Sequence, residues 1–162
     1  MNDEIPPLER LFDSFEATAL GTAVRESIYA FPLIEAVHLL GLCMLGGALL
    51  VVDLRMLGLG MTDRRISELA RSARPWLLTG IAILIVTGIP LFLSEAIKAY
   101  FNASFWVKMT TLPFALAFTL LVRERVARND EIETGTLSRV VGAVSIALWF
   151  VVAAAGRWIG YS

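Results

Sequence analysis

Four long apolar runs dominate the sequence and limit what the chain can fold into. They extend from Ile28 to Val52, Trp76 to Leu93, Phe105 to Val122 and Val140 to Ile159. A helix needs about 20 consecutive apolar residues to cross roughly 30 Å of hydrocarbon. Because each run is close to that length, the sequence predicts four transmembrane helices joined by short connections.

The composition agrees with membrane insertion. The chain has 162 residues, of which 57% are hydrophobic, and its mean hydropathy is +0.70. A single soluble domain of this size still leaves about 30% of its unfolded surface in contact with water, so it cannot hide this much apolar surface. We therefore expect an all-α, integral membrane four-helix bundle whose main partner is the lipid bilayer. The formal net charge of −1 argues against a nucleic-acid partner, which would require a strongly basic surface.

The distribution of arginine predicts the orientation. Of the fourteen basic residues, nine lie in the connection between runs one and two or in that between runs three and four: Arg55, Arg64, Arg65, Arg71, Arg74, Arg123, Arg125, Arg128 and Arg139. Basic residues are enriched in cytoplasmic loops. The sequence thus predicts a multi-pass protein of a bacterial inner membrane with both termini on the outer side.

The chain divides into an N-terminal segment and a membrane domain. Residues 1–26 are predicted to form an extracytoplasmic amphipathic segment, and residues 27–162 the four-span domain. Leu8 to Ala23 has apolar residues at helical spacing, which favours a helix lying in the outer interface or packed on the bundle. Thr62 to Arg74 is predicted to form a second short amphipathic helix that ends before Pro75.

Four ionisable residues inside the predicted spans are the candidate site. They are Glu35, His38, Lys108 and Arg157. A charge in hydrocarbon costs about 3 kcal/mol even on lenient scales, so such residues are usually paired, near water or functional. Glu35 and His38 are three residues apart and share a helix face. We expect all four to converge in the outer half of the bundle, with Glu35 paired to Arg157 or Lys108.

This set of residues suits a porphyrin. A neutral imidazole is a good axial ligand for haem iron, and cationic groups nearer the surface suit the propionates. Gly41, one turn beyond His38, would leave space for the macrocycle. The sequence therefore predicts b-type haem (haem b) held by His38 for electron transfer with a redox partner protein. Since there is no second histidine, the iron would be five-coordinate, take Met109, or share a porphyrin across a homo-oligomer.

Two alternatives stay open. In a structural or accessory subunit the same residues form only an interhelical polar clasp, with His38 donating a hydrogen bond to Glu35 or to a carbonyl. A copper-handling protein would use soft sulfur donors, and the chain offers Cys43, Met44, Met56 and Met61 without a repeated cluster. At the cytoplasmic end, Asp53 and Arg55 are predicted to form a salt bridge or a helix-terminus contact.

Several stretches resemble an uncharacterised family of small bacterial four-span membrane proteins. They are Phe31 to Leu42, Asp53 to Gly58, Thr87 to Phe92, Phe105 to Lys108 and Gly156 to Tyr161. More distantly, the His38-Leu39-Leu40-Gly41 element and the aromatic residue two before Lys108 are similar to elements of HemJ-type protoporphyrinogen oxidases and CopD-type copper-resistance proteins. The HemJ resemblance implies that His38 and Lys108 take part in haem binding, and any enzyme activity would be that of a haem-dependent oxidoreductase. The chain lacks the further histidines of that group.

Overall fold

The computed structural model describes residues 6–129 and 135–161, and it is helical throughout those ranges apart from short connections. The helices are α1 (Pro7–Glu16), α2 (Ala19–Glu26), α3 (Ala30–Leu57), α4 (Ile66–Ser94), α5 (Ala96–Phe101), α6 (Ala103–Ala127) and α7 (Thr136–Trp158), followed by a 3₁₀ turn (Ile159–Tyr161). Four of them, α3, α4, α6 and α7, are long and apolar enough to cross a membrane. The prediction of a four-helix, multi-pass membrane protein is confirmed at this level, and its orientation stays a prediction.

The membrane helices extend beyond the apolar runs at their arginine-rich ends. Helix α4 begins at Ile66 and passes through Pro75 without a break. The predicted separate helix over Thr62 to Arg74 is therefore wrong. Loss of one backbone N–H at a proline is tolerated in membrane helices. A helix of 29 residues is about 43 Å long at 1.5 Å per residue, so its charged turns reach past a 30 Å hydrocarbon layer.

The core of the bundle is the packing of α3 against α4 and α7, with α6 against α7. Two glycines set the close approach of α3 and α4. A Cβ atom on Gly80 would lie 2.8 Å from the backbone N of Leu45 and 3.0 Å from the carbonyl O of Gly41. Small residues that let backbones approach closely are a main source of helix association in lipid.

The N-terminal segment forms two helices instead of the single predicted one. The chain turns at Ala17 and Thr18, and the Thr18 hydroxyl caps α2 by accepting a hydrogen bond from the N–H of Gly21. Helix α1 then packs across one end of the bundle through Phe12, which is 6% exposed. We call this the aromatic cap, formed by Phe12, Phe15, Phe92, Tyr100, Phe105 and Trp106.

Large apolar side chains cover the outside of the bundle. Ile28, Val86, Phe114 and Phe150 are each at least 70% exposed. Exposed apolar surface over the whole circumference is what contact with lipid tails requires. The bundle thus has a capped end, where α1 lies, and an arginine-rich end, where α3 ends and α4 begins.

Candidate functional site

A hydrogen-bonded chain fixes His38 in the half of the bundle near the capped end. The Thr87 hydroxyl donates to the carbonyl O of Ile83 at 2.6 Å, one turn earlier on α4. The His38 Nδ1 atom lies 2.7 Å from the same hydroxyl oxygen. Since the single proton of Thr87 is given to Ile83, the network assigns the proton of this contact to Nδ1 of His38. The other ring nitrogen, Nε2, then keeps its lone pair.

Glycines adjoin both ionisable groups of this region. A Cβ atom on Gly88 would lie 3.4 Å from Cε1 of His38, and one on Gly156 would lie 3.5 Å from Nζ of Lys108. Lys108 is half-buried, and among the described residues it has no hydrogen-bond or ion-pair partner. This half of the bundle therefore contains an imidazole nitrogen with a lone pair and a lysine side chain that has no partner among the described residues.

The aromatic cap closes this region on its outer side. Phe92 and Phe105 stack with ring centroids 5.6 Å apart and planes 7° apart. Gly88 lies one turn before Phe92 on α4, and Lys108 lies about one turn after Phe105 on α6, so both are one layer deeper than the stacked rings. Phe12 covers the two rings from α1 at 5.6 and 6.3 Å. The cap thus lies between the His38 region and the end of the bundle.

The structure does not bring all the predicted site residues together. Glu35 is exposed and has no ion pair within the described ranges, so the predicted pairing with Arg157 or Lys108 is wrong. Arg157 is also exposed, and it donates to the hydroxyl of Tyr161 and lies over that ring, with Cζ 4.6 Å from the centroid.

The Ile83 side chain occupies the space beside Gly41, because a Cβ there would be 2.7 Å from Cγ2 of Ile83.

A second polar cluster, which the sequence analysis did not predict, lies at the arginine-rich end. Arg123 Nε donates to Asp53 Oδ1 at 2.6 Å, and each side chain is 1% exposed. Arg123 Nη2 donates to the carbonyl O of Leu49 at 3.1 Å. The Ser145 hydroxyl donates to Asp53 Oδ2 at 2.6 Å. The cluster therefore ties α3, α6 and α7 together in the interior.

A π-helical segment of α6, Phe118–Arg123, presents Arg123 and Glu124 to the same interior. The N–H of Glu124 donates to the carbonyl O of Thr119, five residues earlier. The wider turn allows two consecutive residues to be buried, and Glu124 Oε1 accepts from Arg123 Nη1 at 3.2 Å. π-Helical turns are frequent at functional sites. Arg74 Nε of α4 approaches Glu124 Oε2 to 3.9 Å without a hydrogen bond, so formal charges balance over the cluster.

Asp53 and Arg55 were predicted to form a salt bridge or a helix-terminus contact, and in the structure the carboxylate of Asp53 binds Arg123 and Ser145. Arg55 Nε donates to the carbonyl O of Arg64 at 2.6 Å and so closes the loop between α3 and α4. A signal for the true arrangement was present, since Asp53 continues the four-residue register of Gly41, Leu45 and Leu49 on the buried face of α3. Residues spaced by four lie on one side of a helix, so the carboxylate had to face the bundle.

The two polar regions are separate. Fifteen residues of α3 divide His38 from Asp53, which corresponds to about 22 Å along the helix. Among the described residues, no three His, Cys, Asp or Glu side chains form a group that could hold a metal ion. Cys43 and Met44 line a groove of about 380 Å³ with Ala73 and Trp76, on a different part of α4 from Thr87.

These features define a small helical membrane protein with a buried charge cluster at one end and a histidine and lysine region near the other. The chain matches, over residues 11–162, a family described as a family of unknown function, DUF6644. It belongs to that family, which confirms the predicted membership of an uncharacterised family. The comparisons show no similarity to HemJ-type or CopD-type proteins. No curated protein and no solved structure matches the chain.

Proposed function

We propose that the protein binds a porphyrin, with b-type haem as the ligand, at the His38 region and uses it in electron transfer. The observation that carries the proposal is the hydrogen bond between His38 Nδ1 and Thr87. Histidines that bind a metal through one ring nitrogen nearly always donate the other N–H to a fixed acceptor. Bound there, haem would supply one-electron redox chemistry.

Lys108 supports the same ligand. An ammonium group without an anionic partner in an apolar bundle is costly, and a propionate carboxylate would compensate it. The Lys108 side chain packs against Gly156 and the His38 ring against Gly88, since a Cβ atom at either glycine would be in van der Waals contact with that side chain. The chain therefore offers one nitrogen that could bind the iron and one amine that could pair with a propionate.

Met109, the candidate for a second iron ligand, lies on the outside of the bundle. Met109 adjoins Lys108 in the sequence but is 45% exposed on the outside of α6. His38 is itself half-exposed on the single chain. A five-coordinate iron or a porphyrin shared with a second copy fits these exposures better than a ligand from Met109.

We further propose a bacterial inner membrane location, with the arginine-rich end in the cytoplasm and the aromatic cap outside. The support is the positive-inside rule, because Arg64, Arg65, Arg125 and Arg128 all lie at one end of the bundle. In this orientation the His38 region lies in the outer half of the membrane. Redox exchange would then take place with a partner on the outer side.

An absorption spectrum of the protein purified in mild detergent tests the proposal. We expect a Soret band in the wild type, directly or after addition of haem, and its loss in His38→Ala. Thr87→Val should weaken haem binding, since it leaves Nδ1 without an acceptor, and Lys108→Gln should weaken it by removing the cation. Matched controls are Thr79→Val and Lys98→Gln, because Thr79 and Lys98 are exposed and lie outside the site.

The outcomes separate the three classes of function. A wild type that binds no haem at micromolar concentration, or a His38→Ala variant with an unchanged Soret band, would overturn the proposal. Bound copper without a Soret band would favour metal handling. Absence of both, with a lowered melting temperature in Thr87→Val, would favour a structural subunit.

The structural alternative has its own observation. The Asp53, Arg123 and Ser145 cluster is almost completely buried and satisfies its hydrogen bonds within the protein. Such a cluster specifies how helices assemble in lipid without any ligand. It accounts for the arginine-rich half of the bundle, but it does not account for the uncompensated Lys108 of the other half.

A further inference from the structure

A groove between α4 and α6 at the arginine-rich end has a cationic part and an apolar part, which match the head group and the acyl chains of a phospholipid. Its volume is about 710 Å³, and its lining includes Arg74, Arg125 and Arg128. Leu78 lies one turn deeper in the membrane than Arg74, and Leu120 lies about one turn deeper than Arg125. The groove is thus cationic at the level of the head groups and apolar at the level of the acyl chains.

The described part of the chain does not neutralise all of the positive charge in this groove. Within residues 6–129 and 135–161, the guanidinium groups of Arg125 and Arg128 make no ion pair or hydrogen bond. Glu124 is the acid of the lining, and its Oε1 already accepts from Arg123. The groove therefore carries an excess of positive charge, which favours an anionic phosphate over a zwitterionic head group.

A buried acceptor adds a second requirement. Glu124 is 8% exposed, and among the described residues its Oε2 atom has no hydrogen-bond donor, with Arg74 Nε 3.9 Å away. A buried carboxylate oxygen without a donor is unfavourable. A ligand that carries both a phosphate and a hydroxyl would place the phosphate near the arginines and donate a hydrogen bond from its hydroxyl to Oε2.

We propose that this groove is a binding site for an anionic phospholipid with a hydroxylated head group, of the phosphatidylglycerol type. Leu78 and Leu120 are 42% and 45% exposed on the outside of the bundle, so the groove opens sideways to the lipid tails. A lipid could enter from that side and pack its acyl chains on the leucines. A soluble phosphate has no apolar part that could make these contacts. The site is independent of the His38 region at the other end.

Native mass spectrometry and thermal unfolding of the full chain test the proposal. Phosphatidylglycerol should remain bound to the wild type and raise its melting temperature more than phosphatidylcholine does. In the double variant Arg125→Gln, Arg128→Gln we expect roughly thirtyfold weaker retention, since each arginine near anionic lipid contributes about a factor of five. Both residues are exposed, so the variant should fold.

A matched control removes the same charge elsewhere. Arg71 and Arg139 are exposed at the same end but do not line the groove, and Arg71→Gln, Arg139→Gln should retain the lipid as the wild type does. Equal losses in the two double variants would overturn the proposal, because binding would then follow total charge. Equal stabilisation by inorganic phosphate or glycerol phosphate would also overturn it, in favour of a soluble ligand. Equal retention of phosphatidylethanolamine would overturn the preference for an anionic lipid.

Discussion

Arg123 and Asp53, seventy positions apart in the sequence, meet in the interior with Nε 2.6 Å from Oδ1. Neither side chain exceeds 1% exposure. Each has a further partner, Leu49 O for the guanidinium and Ser145 for the carboxylate. This relationship fixes the positions of three membrane helices at the arginine-rich end, and it leads to two measurable expectations.

Breaking the pair from one side should be strongly destabilising. Asp53→Ala or Arg123→Ala leaves a buried charge without its partner, and the expected loss of unfolding free energy is about 3–5 kcal/mol. The double variant Asp53→Leu, Arg123→Met should lose less than either single variant, since it leaves no unpaired charge. Unfolding in detergent micelles measures all three.

The exposed ion pair of Arg25 and Glu16 is the control for this prediction. Their closest nitrogen and oxygen atoms are 3.1 Å apart, but the Arg25 side chain is 42% exposed. Arg25→Ala should therefore cost about 1 kcal/mol or less. A cost for Asp53→Ala as small as that of Arg25→Ala would contradict a structural role for the buried pair.

Two buried serines of α7 allow a sharper comparison. Ser145 is completely buried and donates to Asp53, whereas Ser138 is 1% exposed and its hydroxyl has no partner among the residues that the structure describes. Ser145→Ala should lower stability by about 1–3 kcal/mol, because it leaves a carboxylate oxygen without its donor. Ser138→Ala removes an unsatisfied hydroxyl and should be neutral or stabilising. The ranking is wrong if thermal unfolding gives the two variants the same midpoint.

The aromatic cap should depend on one side chain of α1. Phe12 contacts the rings of Phe92 and Phe105 with centroids 5.6 and 6.3 Å away. Phe12→Ala should weaken the docking of α1 by about 3 kcal/mol, because it leaves a cavity among the rings. Limited proteolysis of the N-terminal segment and the emission of Trp106, 5.8 Å from Phe12, measure the release. Leu11→Ala is the control, since Leu11 is 46% exposed, and equal release in both variants would count against a specific cap.

The membrane class and the number of spans were predictable because they depend on local composition. Runs such as Val140 to Ile159 are apolar over the thickness of a bilayer, and no tertiary contact is needed to recognise them. The helix ends were less predictable. Arg71 and Arg74 lower the hydropathy before Pro75, and the sequence therefore indicated a break where α4 is continuous.

The polar contacts were less predictable because they are non-local. We predicted that Glu35 pairs with Arg157 because both lie at a similar depth in the membrane. Depth does not specify which side of a helix faces its neighbour. The π-helical turn before Glu124 also rotates the residues that follow it to a different side of the helix than a regular 3.6-residue period predicts. The hydrogen bond that joins His38 to Thr87 was not predicted, because it connects two helices 49 positions apart in the sequence.

The crossing of α3 and α4 gives the last prediction. A methyl group on Gly80 would lie 2.8 Å from the backbone N of Leu45 and 3.0 Å from the carbonyl O of Gly41. Backbone atoms cannot move aside as a flexible side chain can, so Gly80→Ala must push the two helices apart along their interface. The expected loss of stability is about 1–3 kcal/mol, typical of overpacking.

Gly47 of α3 is the matched control, since nothing lies within 4 Å of a Cβ atom built there. Gly47→Ala should be neutral or stabilise the protein by up to about 1 kcal/mol, because alanine favours a helix over glycine. Thermal unfolding of both variants in the same detergent gives the comparison. If Gly80→Ala proved as harmless as Gly47→Ala, the close contact of α3 and α4 would be wrong, and with it the position of Thr87 against His38.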